Sequence, residues 1–156
     1  MPKEKEIQVI RSNSKNQDFI HLVQLLDAEL AIRDGDDHPF YDQFNKIDHI
    51  QHAVILYSNG LALSCGALKQ LEPKVMEVKR MFTAPEGRKK SYASKVLTEL
   101  EHWARELGYE KCRLETGIMQ PEAIQLYTKM GYHRIPNYGQ YAGVANSVCF
   151  EKKLKA

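Results

Sequence analysis

Apolar positions change their spacing several times along the chain, and each change predicts an element. Ile7 to Ile10 alternate weakly and predict a first strand. Phe19, Leu22, Val23, Leu26 and Leu30 then recur at helical spacing, with Asn16 or Asp18 available as the cap. The acidic, glycine-containing run Asp34-Gly35-Asp36-Asp37-His38-Pro39 stops that helix, and a second is expected over Phe40 to Ile50. The stretch AVILYSNGLALSCGALKQL places two apolar runs around Asn59-Gly60. That pair suits a type I′ hairpin turn, whose two central residues both need positive φ. Beyond Glu72-Pro73 a further strand, Val75 to about Thr83, completes an antiparallel meander.

The second half changes character. Ala93, Val96, Leu97, Leu100, Trp103, Ala104 and Leu107 form one helical stripe, and Gly108 is a natural residue to end it. Lys111 to Thr116 predicts a strand. Pro121 suits the first position of another helix, which Gly131 ends, and Tyr132 to Ile135 and Ser147 to Leu154 predict closing strands. The order β-α-α-β-β-β-α-β-α-β-β predicts an α/β fold (an α+β mixed sheet) with helices on its faces. The strand-helix-strand unit from 75 to 116 implies one right-handed parallel crossover at its centre. No repeat or linker divides the sequence, so residues 1–156 are expected to form a single domain.

Composition narrows the function classes. A chain of 156 residues buries about 70% of its unfolded surface, so it needs neither disulfides nor a structural metal. Hydrophobic residues at 43% and charged residues at 27% exclude disorder. A net charge of +2 gives no basic field for nucleic acid. No apolar run approaches the ~20 residues that span a bilayer, and MPKEKEIQVI has no signal-peptide core. A soluble, cytoplasmic protein is expected, with no membrane partner. The 3 cysteines (Cys65, Cys112, Cys149) form no C-x-x-C pair and sit in strand-like contexts that suit buried free thiols. The 6 histidines lack H-x-x-x-H spacing, so no metal is expected.

Chemistry concentrates between Glu77 and Ser94, where a strand leads through a short loop into a helix. The first turn of that helix is expected to carry Arg88, Lys89, Lys90, Ser91 and Ser94. Unpaired N–H groups and a positive dipole end make this a candidate phosphate cradle, the plain alternative being a solvated basic turn. The segment is neither a P-loop nor a Rossmann fingerprint.

Arg88-Lys89-Lys90-Ser91-Tyr92-Ala93 resembles the acyl-CoA motif Arg/Gln-x-x-Gly-x-Gly/Ala of the GNAT superfamily of N-acetyltransferases. Met81-Phe82-Thr83-Ala84-Pro85 is similar to the end of that family's central strand. Gln120 to Tyr132 is similar to its Asn-x-x-Ala-x-x-Leu-Tyr-x-x-x-Gly-Phe/Tyr helix. Ser91 stands where glycine is usual, and Gln120 where asparagine is usual. The resemblance implies a GNAT fold, with a V-shaped opening between the strand ending near Thr83 and the strand from Lys111 to Thr116. Acetyl-CoA is the implied cosubstrate. Its pantetheine arm would meet main-chain groups around Met81, Phe82 and Thr83, with Gln120 in the place of the asparagine that commonly touches the arm. Its pyrophosphate would meet Arg88, Lys89, Lys90, Ser91, Tyr92, Ala93 and Ser94. An N–H beside Met81 would stabilise the thioester oxygen as it gains charge.

By the same resemblance Tyr127 is the proton donor to the departing thiolate, against the alternative of a tyrosine packed in the core with a wet hydroxyl. Glu77 is the candidate base for the amine, with Glu115 as competitor and an ion pair of Glu77 with Lys79 or Lys111 as the plain alternative. Asp34 to His38 reads either as an acceptor-binding lip or as a solvated turn, and Asn137 to Tyr141 as an acceptor-pocket wall or a hairpin loop. The implied function is transfer of acetyl from acetyl-CoA to a primary amine of a small molecule or peptide, by direct attack in a ternary complex. No Cys or Ser is arranged as a covalent nucleophile. The alternatives are a catalytically silent acyl-CoA-binding or regulatory module and a nucleotide-phosphate-binding protein. The sequence is silent on oligomeric state; the family's common dimers leave a homodimer open.

Overall fold

Residues 6–34 and 50–154 are described by the computed structural model. The strands are β1 (Ile7–Ser12), β2 (His52–Ser58), β3 (Leu61–Glu72), β4 (Val75–Thr83), β5 (Lys111–Gly117), β6 (His133–Ile135) and β7 (Ser147–Lys153). The helices are α1 (Gln17–Asp34), α2 (Tyr92–Glu106) and α3 (Pro121–Lys129). They build a 7-stranded sheet in the order β1-β2-β3-β4-β5-β7-β6, mostly antiparallel, with β4 and β5 as the parallel pair. Residues 40–49 of the expected second helix, and Gly35 to His38 of the acidic run, lie outside the described residues.

Local chemistry explains the elements. Asn59 (φ 52°) and Gly60 (φ 83°) adopt the left-handed conformations the β2–β3 turn requires. Asn16, not Asp18, caps α1: its side-chain oxygen accepts the Phe19 N–H at 2.9 Å. Asp18 instead accepts a bond from the Tyr57 hydroxyl at 2.7 Å. Phe19, Leu22, Val23 and Leu26 of α1 join Val96, Leu97, Leu100 and Ala104 of α2 in the core with the β2 and β3 side chains. Leu107 departs from the expected stripe, because α2 ends at Glu106 and Leu107 is exposed. Cys65, Cys112 and Cys149 are free and buried.

The basic segment also differs from expectation. Pro85–Gly87 forms a short 3-10 turn, and Arg88 to Ser91 form the turn before α2, not its first turn. Lys89 (φ 63°) and Ser91 (φ 64°) are left-handed, which no α-helical residue can be.

One distortion shapes the middle of the sheet. Ala67 pairs with Lys79 but Cys65 pairs with Phe82, so β4 carries one extra residue opposite Gly66. Arg80 absorbs this bulge at φ 59°. Gly66 leaves little room there: a Cβ would lie 2.5 Å from Met81 Sδ and 2.8 Å from Leu100 Cδ1, so those side chains would have to shift to admit one. Pairing between β4 and β5 covers only Val75–Lys111, Met76–Cys112 and Glu77–Arg113. Beyond Glu77 the bulged strand leaves its neighbour, and the two open into a wedge.

Candidate active site

Two adjoining pockets occupy that wedge. The larger, of about 530 Å³, is bounded by the end of β4, the turn before α2, one side of α1 and the length of α3. Met81, Phe82, Thr83, Arg88, Lys89, Ser91, Tyr92, Ala93, Ser94, Gln120 and Tyr127 all line it. Lys90 does not; its Nζ turns back to the Glu86 carbonyl oxygen at 3.1 Å. The smaller pocket, of about 100 Å³, contains Glu77, Lys79, Arg80, Glu115, Thr116 and Tyr141. Leu26, Met81, Gln120, Ala123 and Tyr127 line both, so they mark the junction.

The turn before α2 is shaped as an anion cradle. The first intrahelical bond runs from the Lys95 N–H to the Ser91 carbonyl, so the N–H groups of Tyr92, Ala93 and Ser94 have no helical acceptor. Ser91 holds the left-handed cap conformation that glycine adopts without strain, and its hydroxyl makes no capping bond. Arg88 ties the turn down. Its Nε donates to the Thr83 carbonyl at 3.0 Å, and its Nη2 meets Glu29 Oε2 of α1 at 2.6 Å.

The smaller pocket is densely charged. Glu77 is buried, accepts a 2.6 Å bond from the Tyr138 hydroxyl and lies 3.7 Å from Lys79 Nζ. The expected ion pair is therefore with Lys79, while Lys111 faces Glu151 at 3.9 Å. Burial pushes the Lys79 amine below its ordinary range, with the Glu77 charge opposing. Tyr127 is buried, stacked edge-on against Tyr132 at 5.8 Å and tilted against Phe150 at 6.2 Å. Burial pushes its phenol well up, and the Glu115 charge adds to the rise. Tyr127 is therefore held protonated, as a proton donor must be, while its ring also packs in the core.

The structure adds residues that periodicity left out. Glu29 and Arg33 of α1 line the larger pocket, and Arg33 reaches Glu122 of α3 at 3.2 Å through two nitrogens. The i,i+4 spacing of Glu29 and Arg33 was the available signal; their partners in distant segments left none. Tyr138 and Tyr141 give the Asn137–Tyr141 stretch a place in the site, on a 3-10 turn within the hairpin loop that joins the antiparallel β6 and β7. Arg80, at the bulge, also lines the smaller pocket. No group of three or more His, Cys, Asp or Glu converges among the described residues, nor is any helix among them long and apolar enough to cross a membrane.

Comparison with known proteins agrees with this architecture. The profile of the Acetyltransferase (GNAT) family matches residues 19–132. An uncharacterized N-acetyltransferase of Bacillus subtilis, YsnE, is 37% identical over 92 residues, covering 58% of this chain and 61% of its own. The chain thus matches about three fifths of that relative's length. An IAA acetyltransferase of Azospirillum brasilense is 35% identical over 102 residues, covering 65% of this chain and 67% of its own. A Klebsiella pneumoniae structure assigned as an acyl-CoA N-acyltransferase superposes with a TM-score of 0.78 at 30% identity, covering 97% and 98% of the two chains. Thermoplasma acidophilum PaiA N-acetyltransferase, solved with coenzyme A, shares the fold at a TM-score of 0.70 and 16% identity, covering 95% and 99%.

Proposed function

This chain belongs to the acetyltransferase (GNAT) family, and from that premise we propose that residues 1–156 act as one N-acetyltransferase domain, moving an acetyl group from acetyl-CoA to a primary amine. The observation that carries the reading is the junction of the two pockets: Met81 and Tyr127 line both, where a thioester in one would face an amine in the other. Acetyl-CoA supplies the acyl group as an activated thioester. The chain's own groups do the rest. The open N–H groups of Tyr92, Ala93 and Ser94, with the Lys89 cation, suit a pyrophosphate. The β4 edge from Val78 to Thr83, which has no strand partner on the β5 side, offers main-chain groups to the pantetheine arm and to the carbonyl oxygen as it gains charge.

Glu77 takes the proton the amine must lose, directly or through water, and Glu115 is its competitor for that role. The amine nitrogen bonds to the carbonyl carbon, the C–S bond breaks, and Tyr127 gives its proton to the departing sulfur. The products are an amide and free CoA thiol. Direct attack in a ternary complex fits the cysteines, since burial raises all three thiols, those of Cys65 and Cys112 to about 12, and disfavours a thiolate nucleophile.

Thermal denaturation with CoA, followed by an acceptor screen reading free thiol, tests the proposal. Millimolar CoA raises the melting temperature by linkage. Lys89→Glu weakens that shift, more at low salt than at high, and Lys90→Glu changes it less because Lys90 is turned away. A shift without turnover of any amine would leave a silent CoA-binding module; no shift at all would remove both readings.

A further inference from the structure

The charges of the smaller pocket say what kind of acceptor it takes. Glu77, Glu115, Lys79 and Arg80 line one space of about 100 Å³, room for a small polar group in place of a few waters. Glu77 is engaged by Tyr138 and Lys79. Arg80 is not fully used. Its side chain is 1% exposed and meets Asp27 through Nη2 alone, while its Nε–H is buried with no hydrogen-bond partner among the described residues. A buried guanidinium N–H without an acceptor is rare, because water is lost and nothing replaces it. Arg80 also holds a left-handed backbone, φ 59°, at the β4 bulge. Bulges re-aim side chains, and strain of this kind collects where a ligand must be met. Two independent observations, an orphaned donor and a strained residue, thus converge on one wall of the pocket.

Resting on the transferase reading above, we propose that the acceptor amine carries a carboxylate close by, as an amino acid does, and that Arg80 binds that carboxylate. A guanidinium already holding Asp27 through one nitrogen keeps its Nε–H for a second carboxylate oxygen. The carboxylates of Glu77 and Glu115 then face the ammonium end, from which Glu77 removes the proton. A phosphate dianion fits less well, because those same two carboxylates repel a second negative charge. The amine attacks the thioester as before, and the acceptor's carboxylate is unchanged in the product, an N-acetylamino acid.

The test uses matched acceptor pairs with and without the carboxylate: phenylalanine and phenethylamine, tyrosine and tyramine, leucine and isoamylamine, lysine and cadaverine. With saturating acetyl-CoA and free thiol as readout, the carboxylated partner of the preferred pair has kcat/KM at least about tenfold higher, the scale of one charged hydrogen bond. Arg80→Gln removes that preference through KM for the carboxylated member, while the CoA-dependent melting shift is unchanged. The double variant Asp27→Asn with Arg80→Gln, which leaves no uncompensated charge, behaves the same way. Should neither variant fold, the wild-type pairs decide alone. Plain amines acetylated as well as or better than their carboxylated partners would overturn the proposal while the transferase reading stands. Turnover of neither class would overturn both.

Discussion

Tyr127→Phe removes one oxygen from the junction of the two pockets and leaves the ring in place. The ring contacts with Tyr132 and Phe150 survive, and the hydroxyl makes no hydrogen bond to the described residues. The fold should therefore lose under about 1 kcal/mol, a shift of only a few degrees in melting temperature for a domain of this size. Loss of a general acid costs roughly 10²-fold or more in rate, about 2.7 kcal/mol of transition-state stabilisation. Steady-state assay at several acetyl-CoA concentrations separates the two effects: kcat falls at least that far while KM for acetyl-CoA stays near wild type. Burial of the phenol sets the pH behaviour. Because its pKa lies above the ordinary value of about 10, the group keeps its proton throughout the working range. The wild-type rate should show no alkaline fall from this group up to pH ~10. An unchanged kcat in Tyr127→Phe would make the residue a packing element and pass the proton to water. A loss of melting temperature matching the loss of rate would equally refute the reasoning.

Glu77→Gln should lower the rate most at acid to neutral pH, with the deficit narrowing as the free amine loses its own proton; a constant deficit across a pH series would place Glu77 in structure, and narrowing in Glu115→Gln instead would move the base there. Gly66→Ala drives a Cβ into Met81 and Leu100, so calorimetry should show a cost of about 1–3 kcal/mol, the range for overpacking. Because Met81 lines both pockets, the same variant should raise KM for acetyl-CoA, and a variant with wild-type stability and KM would contradict the tight fit.

Local chemistry was readable where one segment decides its own shape. Asn59-Gly60, the stripe from Val96 to Ala104 and the glycine after α2 each follow from turn or helix geometry, and all three stand where the pattern puts them. The turn from Arg88 to Ser91 was misplaced by one helical turn because two non-glycine residues, Lys89 and Ser91, hold left-handed backbones that no propensity favours. The parallel crossover was legible, and so was the pairing of a charged β4, although not with which lysine. What remained hidden depends on separation along the chain. Tyr138 reaches Glu77 across 61 residues, and Arg33 reaches Glu122 across 89. Arg80 reads as one more charge in a charged strand, and its place at the bulge opposite Gly66, lining the smaller pocket, does not show in the pattern.

Three rungs join β4 to β5, and the sheet's two halves otherwise meet across the wedge. The β4 amides that face this gap have no partner strand to hold their hydrogens, so solvent deuterium should reach them sooner than the amides that face β3. A molecule seated in the wedge acts as a temporary rung and slows that exchange. The same seam makes the halves mechanically separable: little backbone bonding resists their spreading, and the crossover through α2 becomes the tether. Protection along Val78 to Thr83 is therefore a gauge of occupancy that needs no product and no knowledge of the acceptor.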